Sequence, residues 1–315
     1  MSIAADTPPT FADAWNLWLA YRIHSARPLR ASTLADYESI YRRHLEPALG
    51  PLPLPSIDGT TIARLTIAAS VGGVSAKRLS NVLVPLRACL RWHHRLGALE
   101  RDPSPWFDRP AAAADERRTL TPAQVEGLIA QMPAHYRPHI AFAAYTGVRA
   151  GELRALTWAD VDLEGRKARI DKTYFRAQLQ RSTKTGHGRT VPLPRHIAEM
   201  LAEWKLHCPP SAEKLVFPSP MGRVLDLDTF RRRVFKPALA RAGLPPDIRI
   251  HDLRHTSASL YLQCGATVRE VMEIHGWRQM QTAMRYLHTP DSLVAAADRL
   301  SDVRDEATAA HAPAG

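Results

Sequence analysis

Apolar residues in the first hundred positions recur at intervals of three and four, which is the period of an amphipathic helix. Phe11, Trp15 and Trp18 follow this spacing directly behind a helix-capping threonine. The same pattern predicts three further helices, over residues 32–50, 57–65 and 75–99. The N-terminal region is therefore expected to be a helical domain.

The pattern changes after residue 120, where helical periods alternate with short β-like segments. The segments with strand character are "GRKARIDKTYF" at 165–175, "QRSTKTGHGRTVPLP" at 180–194 and "LVFPS" at 215–219, with a turn at Lys184-Thr185-Gly186. Helical patterns return over residues 195–207, 228–242, 251–263, 267–274, 279–287 and 291–300. The second half is predicted to be mostly α-helical, with a small β-sheet inserted early.

A charged, alanine-rich stretch separates the two halves. The sequence "DRPAAAADERR" at 108–118 has no apolar face and is predicted to be a linker. Thr121 and Gln124 then form a capping-box pattern that starts a new helix. The predicted organisation is a helical domain at 1–108, a linker at 109–119, a second domain at 120–300 and a tail at 301–315.

The charge distribution favours an anionic partner. The chain has 42 Lys and Arg against 31 Asp and Glu, which gives a formal net charge of +11. Residues 166–195 carry nine of these cations and a single acid, Asp171. This local excess suits nucleic acid or an anionic membrane surface, although an arginine-rich coding bias can also raise the net charge. The candidate contacts to a nucleic-acid backbone are Arg166, Lys167, Arg169, Lys172, Arg181 and Arg189.

The cysteines and the hydropathy argue against several other classes of protein. The three cysteines are odd in number and far apart, so they predict neither a disulfide framework nor a zinc site, and they fit a reducing cytosol. The N-terminus is unlike a signal peptide. No apolar run reaches the roughly 18 residues that a membrane span needs. The expected location is cytoplasmic.

Short motifs in the second half bring reactive side chains into a fixed order. They are "TGVRAGEL" with Arg149 and Glu152, "STKTGHGRTVPL" with Lys184, "HDLRH" with His251, Arg254 and His255, and "HGW" with Trp277, nine residues before Tyr286. Each has an ordinary explanation by itself, such as an Arg149–Glu152 ion pair or an exposed turn lysine. The histidine pair lacks a third ligand of the kind that a zinc site requires.

In this order and spacing, the motifs resemble those of the tyrosine recombinase (phage integrase) family. The resemblance covers about 120–290 and extends more weakly to a domain that ends at Asp102-Pro103. It implies a mainly α fold with a small antiparallel β-sheet. The first domain would be a helical, SAM-like core-binding domain that contacts DNA, and the second a tyrosine-recombinase catalytic domain of the DNA breaking-rejoining fold.

The resemblance implies that DNA is cut and rejoined through a 3′-phosphotyrosyl intermediate. Tyr286 would be the nucleophile, and Arg149 and Arg254 would bind the scissile phosphate. Lys184 would protonate the leaving 5′-oxygen. His251 would accept or position the tyrosine proton and contact the phosphate. Because a phenol has a pKa near 10, it is a weak nucleophile at neutral pH and needs such help.

The remaining site residues are given supporting roles. The commoner family pattern is "LGH" where this chain has "HGW", so Trp277 takes the position of the second histidine and is expected to donate its indole N–H. His275, two helical residues away, is expected to point elsewhere. Glu152 would hold Arg149, and His255 would pack beneath the site.

The resemblance also implies the partners. No metal and no cofactor is expected, because a phosphotyrosyl bond conserves the energy of the phosphodiester. The expected partner is double-stranded DNA carrying recombination sites, bound by a homotetramer that forms on two sites from monomers or weak oligomers and associates with the nucleoid. An accessory directionality factor is a further partner that the resemblance allows.

Three functions remain open at this point. The first is an integrase of a phage, prophage or other mobile element, and the second is a Xer-like resolvase of chromosomes or plasmids. The third, from a different class, is a DNA-binding regulator without catalysis. A regulator is expected to have lost part of the catalytic set, and every member of that set is present.

Overall fold

The computed structural model describes residues 8–26, 28–107, 118–175, 178–180, 188–284 and 286. The chain divides into two compact units, residues 1–115 and 116–315. Most of the predicted linker lies outside the described residues, as do the predicted helix at 291–300 and the predicted tail.

The first unit is built from helices packed around an aromatic core. Its helices are α1 (Phe11–His24), α2 (Ala31–Ile40), α3 (Glu46–Leu49), α4 (Gly59–Val71) and α5 (Ala76–Arg95). A capping box between Thr10 and Asp13 begins α1. Trp15 is buried and stacks on Tyr41 with ring centroids 5.0 Å apart. The apolar stripe of α1 therefore forms the centre of this unit, as its spacing predicts.

The second unit combines helices with two small antiparallel sheets. Its helices are α6 (Pro122–Gln131), α7 (Arg137–Thr146), α8 (Ala150–Ala155), α9 (Arg195–His207), α10 (Leu227–Phe230), α11 (Lys236–Arg241), α12 (Asp252–Gln263), α13 (Val268–His275) and α14 (Met280–Met284). Its strands are β1 (Val161–Asp162), β2 (Lys167–Ile170), β3 (Thr173–Phe175), β4 (Gln178–Gln180) and β5 (Arg189–Pro192). The strand order is β1-β2-β5 in one sheet and β3-β4 in the other. The predicted fold class, mainly α with a small antiparallel sheet, is confirmed.

Proline shapes the helices at two places. A π-helical turn at Tyr41–Leu45 joins α2 to α3, and another at Arg231–Phe235 joins α10 to α11. The residue after each turn donates its N–H to the carbonyl five residues back, and a proline follows it, Pro47 or Pro237. Because a proline ring collides with the carbonyl four residues back, a wider turn lets the helix continue.

The predicted strand at 215–219 is wrong. This segment makes a single bridge, between Leu215 and Thr157, and no strand is assigned to it. The Val216 carbonyl accepts a hydrogen bond from the Trp204 indole at 2.7 Å instead of from a neighbouring strand. Pro218 cannot donate to a ladder. Tertiary contacts therefore take the backbone groups that a strand would use.

Helix α7 runs through the core of the second unit and sets up the site. It packs against α12, α6 and α9. It ends at Gly147, which has a φ of 64° in the left-handed region. The chain then turns immediately into α8, so that Arg149 becomes the N-cap of α8. Among the described residues, no helix is both long and apolar enough to cross a bilayer.

Candidate active site

The first part of the site is a buried carboxylate at the start of α8. Glu152 is the third residue of that helix and is 2% exposed. It accepts a hydrogen bond from the Arg149 backbone N–H at 2.8 Å and another from the Arg149 guanidinium at 2.7 Å. The expected pairing of Glu152 with Arg149 is therefore present, and it fixes the direction of the arginine.

Arg189 on β5 binds the same carboxylate, and this corrects its predicted role as a DNA contact. Its two terminal nitrogens lie 3.0 and 2.8 Å from the oxygens of Glu152. Its Nε donates to the Ile274 carbonyl at 2.9 Å, and its side chain is only 10% exposed. These contacts place Arg189 in an internal ion pair with Glu152.

The protonation of Glu152 is controlled by these two arginines. Burial would raise the pKa of this carboxyl group. The hydrogen bonds and charge of Arg189, together with the charge of Arg149, outweigh burial and lower the pKa to about 2. Glu152 is therefore an anion at any physiological pH, and its negative charge is shared between two guanidiniums.

Arg254 adds a third guanidinium to this region. It lies on α12, is 2% exposed, and donates to the carbonyls of Gly147 and His275. Burial and the neighbouring charges of Arg149 and Arg189 lower the pKa of Arg254 to about 9. The charges of Arg149 and Arg189 thus act on Arg254, and this local excess of positive charge suits an anionic ligand.

Tyr286 lies next to this cationic region and is 5% exposed. Its ring stacks on Trp277, with centroids 5.3 Å apart and planes within 6° of parallel. The Arg254 guanidinium lies 5.6 Å from the centre of the Trp277 ring. Tyr286 also contributes to the electrostatic environment of Arg254. Trp277 therefore connects the phenol to the arginine.

The partner of the Tyr286 hydroxyl is a residue to which sequence reasoning gave only a packing role. The hydroxyl is hydrogen-bonded to Nδ1 of His255. His251, the histidine predicted to serve the tyrosine, is exposed at the N-cap of α12, with its ring 5.0 Å from that of His255. The signal that could have found His255 is its spacing, because residues four apart share a helix face.

The rings of His275 and Trp277 lie in contact, with centroids 4.9 Å apart, rather than pointing in different directions as the helical rotation predicts. Helix α13 ends at His275, and Gly276 turns the chain with a φ of 61°. His275 faces inward, is fully buried and is hydrogen-bonded through Nδ1 to the Val271 carbonyl at 3.0 Å. Burial, followed by the charge of Arg254, lowers the pKa of His275 to about 3.

The predicted DNA-contacting cations differ in how exposed they are. Arg166, Lys167 and Arg169 are exposed, although Arg169 also pairs with the buried Asp160 at 3.1 Å. The Lys172 ammonium binds Asp160 as well and is 20% exposed, so its predicted role as a DNA contact is corrected to an internal ion pair. Lys184 and Arg181 lie outside the described residues.

Within the described ranges, no group of histidine, cysteine, aspartate and glutamate side chains is arranged to hold a metal ion. The site consists instead of guanidiniums, one carboxylate, imidazoles, an indole and a phenol.

Comparison with known proteins identifies the family of both units. The phage integrase family matches residues 118–292, and the N-terminal SAM-like domain of phage integrases matches residues 10–65. The chain is 27% identical over 274 residues to a prophage phiRv2 integrase of Mycobacterium tuberculosis, covering 83% of this chain and 71% of that protein. It is 26% identical over 249 residues to the tyrosine recombinase XerC of Xanthomonas axonopodis pv. citri, covering 78% of each chain.

Solved structures show the same fold. The Tn1549 transposon integrase in complex with transposon right-end DNA superimposes with a TM-score of 0.80 at 18% identity, covering 93% of this chain and 100% of that chain. A lambda integrase tetramer bound to a Holliday junction superimposes with a TM-score of 0.71 at 20% identity, covering 87% and 79%. The family match spans more than half of the sequence and includes the whole cluster around Arg149, Arg254 and Tyr286. The chain belongs to the phage integrase family.

Proposed function

We propose that this protein is a site-specific DNA recombinase that cuts and rejoins DNA through a 3′-phosphotyrosyl intermediate, with Tyr286 as the nucleophile. One observation carries the proposal. A buried phenol stacks on Trp277, and Trp277 lies against Arg254, whose electrostatic neighbours are Arg149, Arg189 and the Glu152 carboxylate that binds both of them. A phosphodiester is an anion that such a region can bind beside the phenol.

Arg149 and Arg254 bind the scissile phosphate. A guanidinium is a planar fork of N–H donors, and it matches the non-bridging oxygens of a phosphate. These oxygens gain charge in the pentavalent transition state, so donors that are already in place lower the barrier. Each such donor is typically worth about 3 kcal/mol in a desolvated site. Glu152 and the carbonyl acceptors of Arg254 keep both forks in position.

The reaction exchanges one phosphodiester for another. The Tyr286 oxygen bonds to phosphorus, the bond from phosphorus to the 5′-oxygen breaks, and Lys184 supplies the proton that makes the 5′-oxygen a hydroxyl. The phosphotyrosyl ester retains the energy of the original bond, and a 5′-hydroxyl can reverse the step. The chemistry therefore requires neither a nucleotide nor a metal ion.

The DNA partner follows from the same proposal. Solved integrases of this fold are bound to DNA, and lambda integrase forms a tetramer on a Holliday junction. By analogy, this chain acts as a tetramer on two double-stranded sites, with a directionality factor as a further partner. Residues 1–108 form the core-binding domain. The exposed cations Arg166, Lys167 and Arg169 contact the DNA backbone, and binding keeps the protein at the nucleoid in the cytoplasm.

Integration or excision of a mobile element is the favoured biological role. A prophage integrase is among the similar proteins, and it supports this role. A Xer-like resolvase is the alternative, and similarity to XerC supports it. A regulator without catalysis is disfavoured, because such a protein is expected to have lost part of the catalytic set, whereas Tyr286 stacks on Trp277 and Trp277 contacts Arg254.

The experiment is covalent trapping on a nicked duplex. The DNA carries a recombination site of the protein, with a nick placed so that the released fragment with the free 5′-hydroxyl diffuses away and cleavage becomes irreversible. The protein should form an adduct that survives SDS and disappears with protease. Tyr286→Phe should bind the duplex with unchanged affinity and give no adduct. An adduct in that variant would overturn the assignment of Tyr286.

A further inference from the structure

We infer that His255 is the residue that accepts the proton of Tyr286 when the phenol attacks phosphorus, with His251 as the next group toward solvent. The inference rests on the proposed function, because it concerns the first step of that reaction. It begins from one contact, the hydrogen bond between the Tyr286 hydroxyl and Nδ1 of His255. The two rings lie 5.6 Å apart at an angle of 31°.

The surroundings of the phenol make a protein acceptor necessary. Tyr286 is 5% exposed, so bulk water has little access to its side chain. A phenol with a pKa near 10 attacks poorly unless its proton moves to a base during the reaction. His255 is already within hydrogen-bonding distance of that proton, and an imidazole has an unperturbed pKa near 6.5, close to physiological pH.

The other candidate bases nearby are poor acceptors. Glu152 is held by Arg149 and Arg189, and these interactions lower its pKa to about 2 despite its burial. His275 has its Nδ1 hydrogen-bonded to the Val271 carbonyl, and burial lowers its pKa to about 3. A guanidinium has no lone pair to offer. Among the bases in the described part of the chain, His255 is hydrogen-bonded to the phenol, whereas Glu152 and His275 are engaged elsewhere.

The position of His251 gives the proton a way out. The two histidines are four residues apart at the start of α12 and so share a helix face. Their rings lie 5.0 Å apart in an edge-to-face arrangement. Exposure increases along the series, from the buried Tyr286 through the half-buried His255 to the exposed His251. Charge that develops on His255 is therefore passed toward water rather than trapped in the core.

The step balances without an outside reagent. The O–H bond of Tyr286 breaks and its proton goes to Nδ1 of His255, which must be in the tautomer that carries hydrogen on Nε2. The phenolic oxygen bonds to phosphorus, and the bond to the 5′-oxygen breaks. That oxygen takes a proton from Lys184. Rejoining reverses both transfers, so His255 returns its proton to the tyrosine oxygen.

The test measures single-turnover cleavage of the nicked duplex at saturating protein. His255→Ala should lower the cleavage rate by roughly a hundredfold, which is within the usual range for a lost general base, while DNA affinity and melting temperature remain close to the wild type. Added imidazole should restore the rate at least tenfold. The matched control is His207→Ala, an exposed histidine at the end of α9, which should cleave at the wild-type rate.

A second variant separates accepting a proton from holding the hydroxyl. His255→Asn keeps a polar group near the position of Nδ1 but cannot accept a proton at neutral pH. It should therefore be as slow as His255→Ala. Asparagine at near the wild-type rate would overturn the inference, because holding the hydroxyl would then be enough. Cleavage by His255→Ala within about threefold of the wild type would overturn it too.

A modified substrate identifies which proton transfer is lost. If the scissile 5′-oxygen is replaced by sulfur, the leaving thiolate needs no proton. Sulfur should then rescue Lys184→Ala and leave His255→Ala slow, and rescue of the histidine variant would overturn its role at the nucleophile. A wild-type protein that forms no adduct would instead refute the proposed function, so the two failures are distinguishable.

Discussion

Arg189 and Glu152 form a two-point ion pair, with their paired nitrogens and oxygens 3.0 and 2.8 Å apart. The same carboxylate holds Arg149 at the start of α8, and the same guanidinium holds the Ile274 carbonyl in α13. Strand β5, which follows the segment that carries Lys184, is thereby connected to helix α8, at whose N-cap Arg149 lies. It is also tied to the helix that precedes Trp277.

The first prediction concerns the ion pair between Arg189 and Glu152. Arg189→Met should lower the cleavage rate at least tenfold, because Glu152 loses one of its two partners and Arg149 is no longer held in one direction. The dependence of DNA affinity on salt should stay unchanged, since an internal arginine neutralises no phosphate. Binding isotherms over a range of salt concentrations, measured beside single-turnover cleavage, check both parts. A weaker salt dependence would mean that Arg189 contacts DNA after all.

The second prediction concerns exposed cations, whose loss should change the salt dependence of DNA affinity rather than the cleavage rate. Arg166 and Lys167 are exposed, and we propose that they contact the DNA backbone. Replacing both with alanine should lower the slope of log affinity against log salt by about 2, because each lost phosphate contact reduces it by about 0.9. The rate of cleavage at saturating protein should change little. An unaltered slope would mean that Arg166 and Lys167 do not contact the DNA backbone.

The third prediction uses the pKa of Glu152, which is lowered from its ordinary value of 4.5 to about 2. Because the folded pKa is depressed, this group contributes stability that is fully present above pH 4.5 and is lost as pH falls toward 2. The wild type minus Glu152→Gln difference in unfolding free energy should therefore shrink by about 3 kcal/mol across this window. Urea unfolding at several acidic pH values measures it. Parallel curves for the two proteins would contradict the prediction.

The fourth prediction separates Trp277 from His275. Trp277→Ala removes the ring on which Tyr286 stacks, so cleavage should fall at least tenfold, whereas Trp277→Phe should keep much of the activity. His275→Ala leaves a cavity in the interior and should lower the melting temperature more than Trp277→Ala does. Cleavage and melting are measured on the same preparations. If His275→Ala were the more damaging variant for cleavage at a temperature where it is folded, the roles would be exchanged.

The fifth prediction concerns Gly147, the left-handed residue between α7 and Arg149. A Cβ there would collide with the imidazole of His275 and lie 2.9 Å from Oγ of Ser257. Gly147→Ala should therefore destabilise the protein by about 3 kcal/mol, from the left-handed backbone and from overpacking. Gly127→Ala is the matched control, because it lies within α6 and its Cβ would meet nothing within 4 Å. Equal stability of the two variants would contradict this account.

The elements predicted correctly are those that depend on neighbours in sequence. The caps predicted at Thr10 and Thr121 begin helices where expected, because each cap and its partner lie three residues apart. The strand predicted at 215–219 fails because Val216 is bound by Trp204, and nothing within the segment encodes that contact. The fold class survives such an error, since it depends on many local patterns together.

The site residues also divide into those located by local motifs and those whose roles depend on distant partners. The motif order locates Arg149, Arg254, Trp277 and Tyr286, and the structure brings them into one region. The role of Arg189 was predicted wrongly, because its carboxylate partner is 37 positions away in sequence. The contact of His255 with the phenol spans 31 positions. The sequence around a cationic or imidazole side chain does not predict whether its partner is solvent, a ligand or another part of the chain.

The arrangement of three guanidiniums around one carboxylate has a thermodynamic consequence for the free protein. The charges of Arg149 and Arg189 disfavour the charged form of Arg254, and an oxyanion bound in this region offsets that effect, so we expect occupancy and folding to be linked. A ligand at a hundred times its dissociation constant adds about 2.7 kcal/mol to the unfolding free energy. The DNA-bound protein should accordingly resist heat and proteolysis better than the free protein.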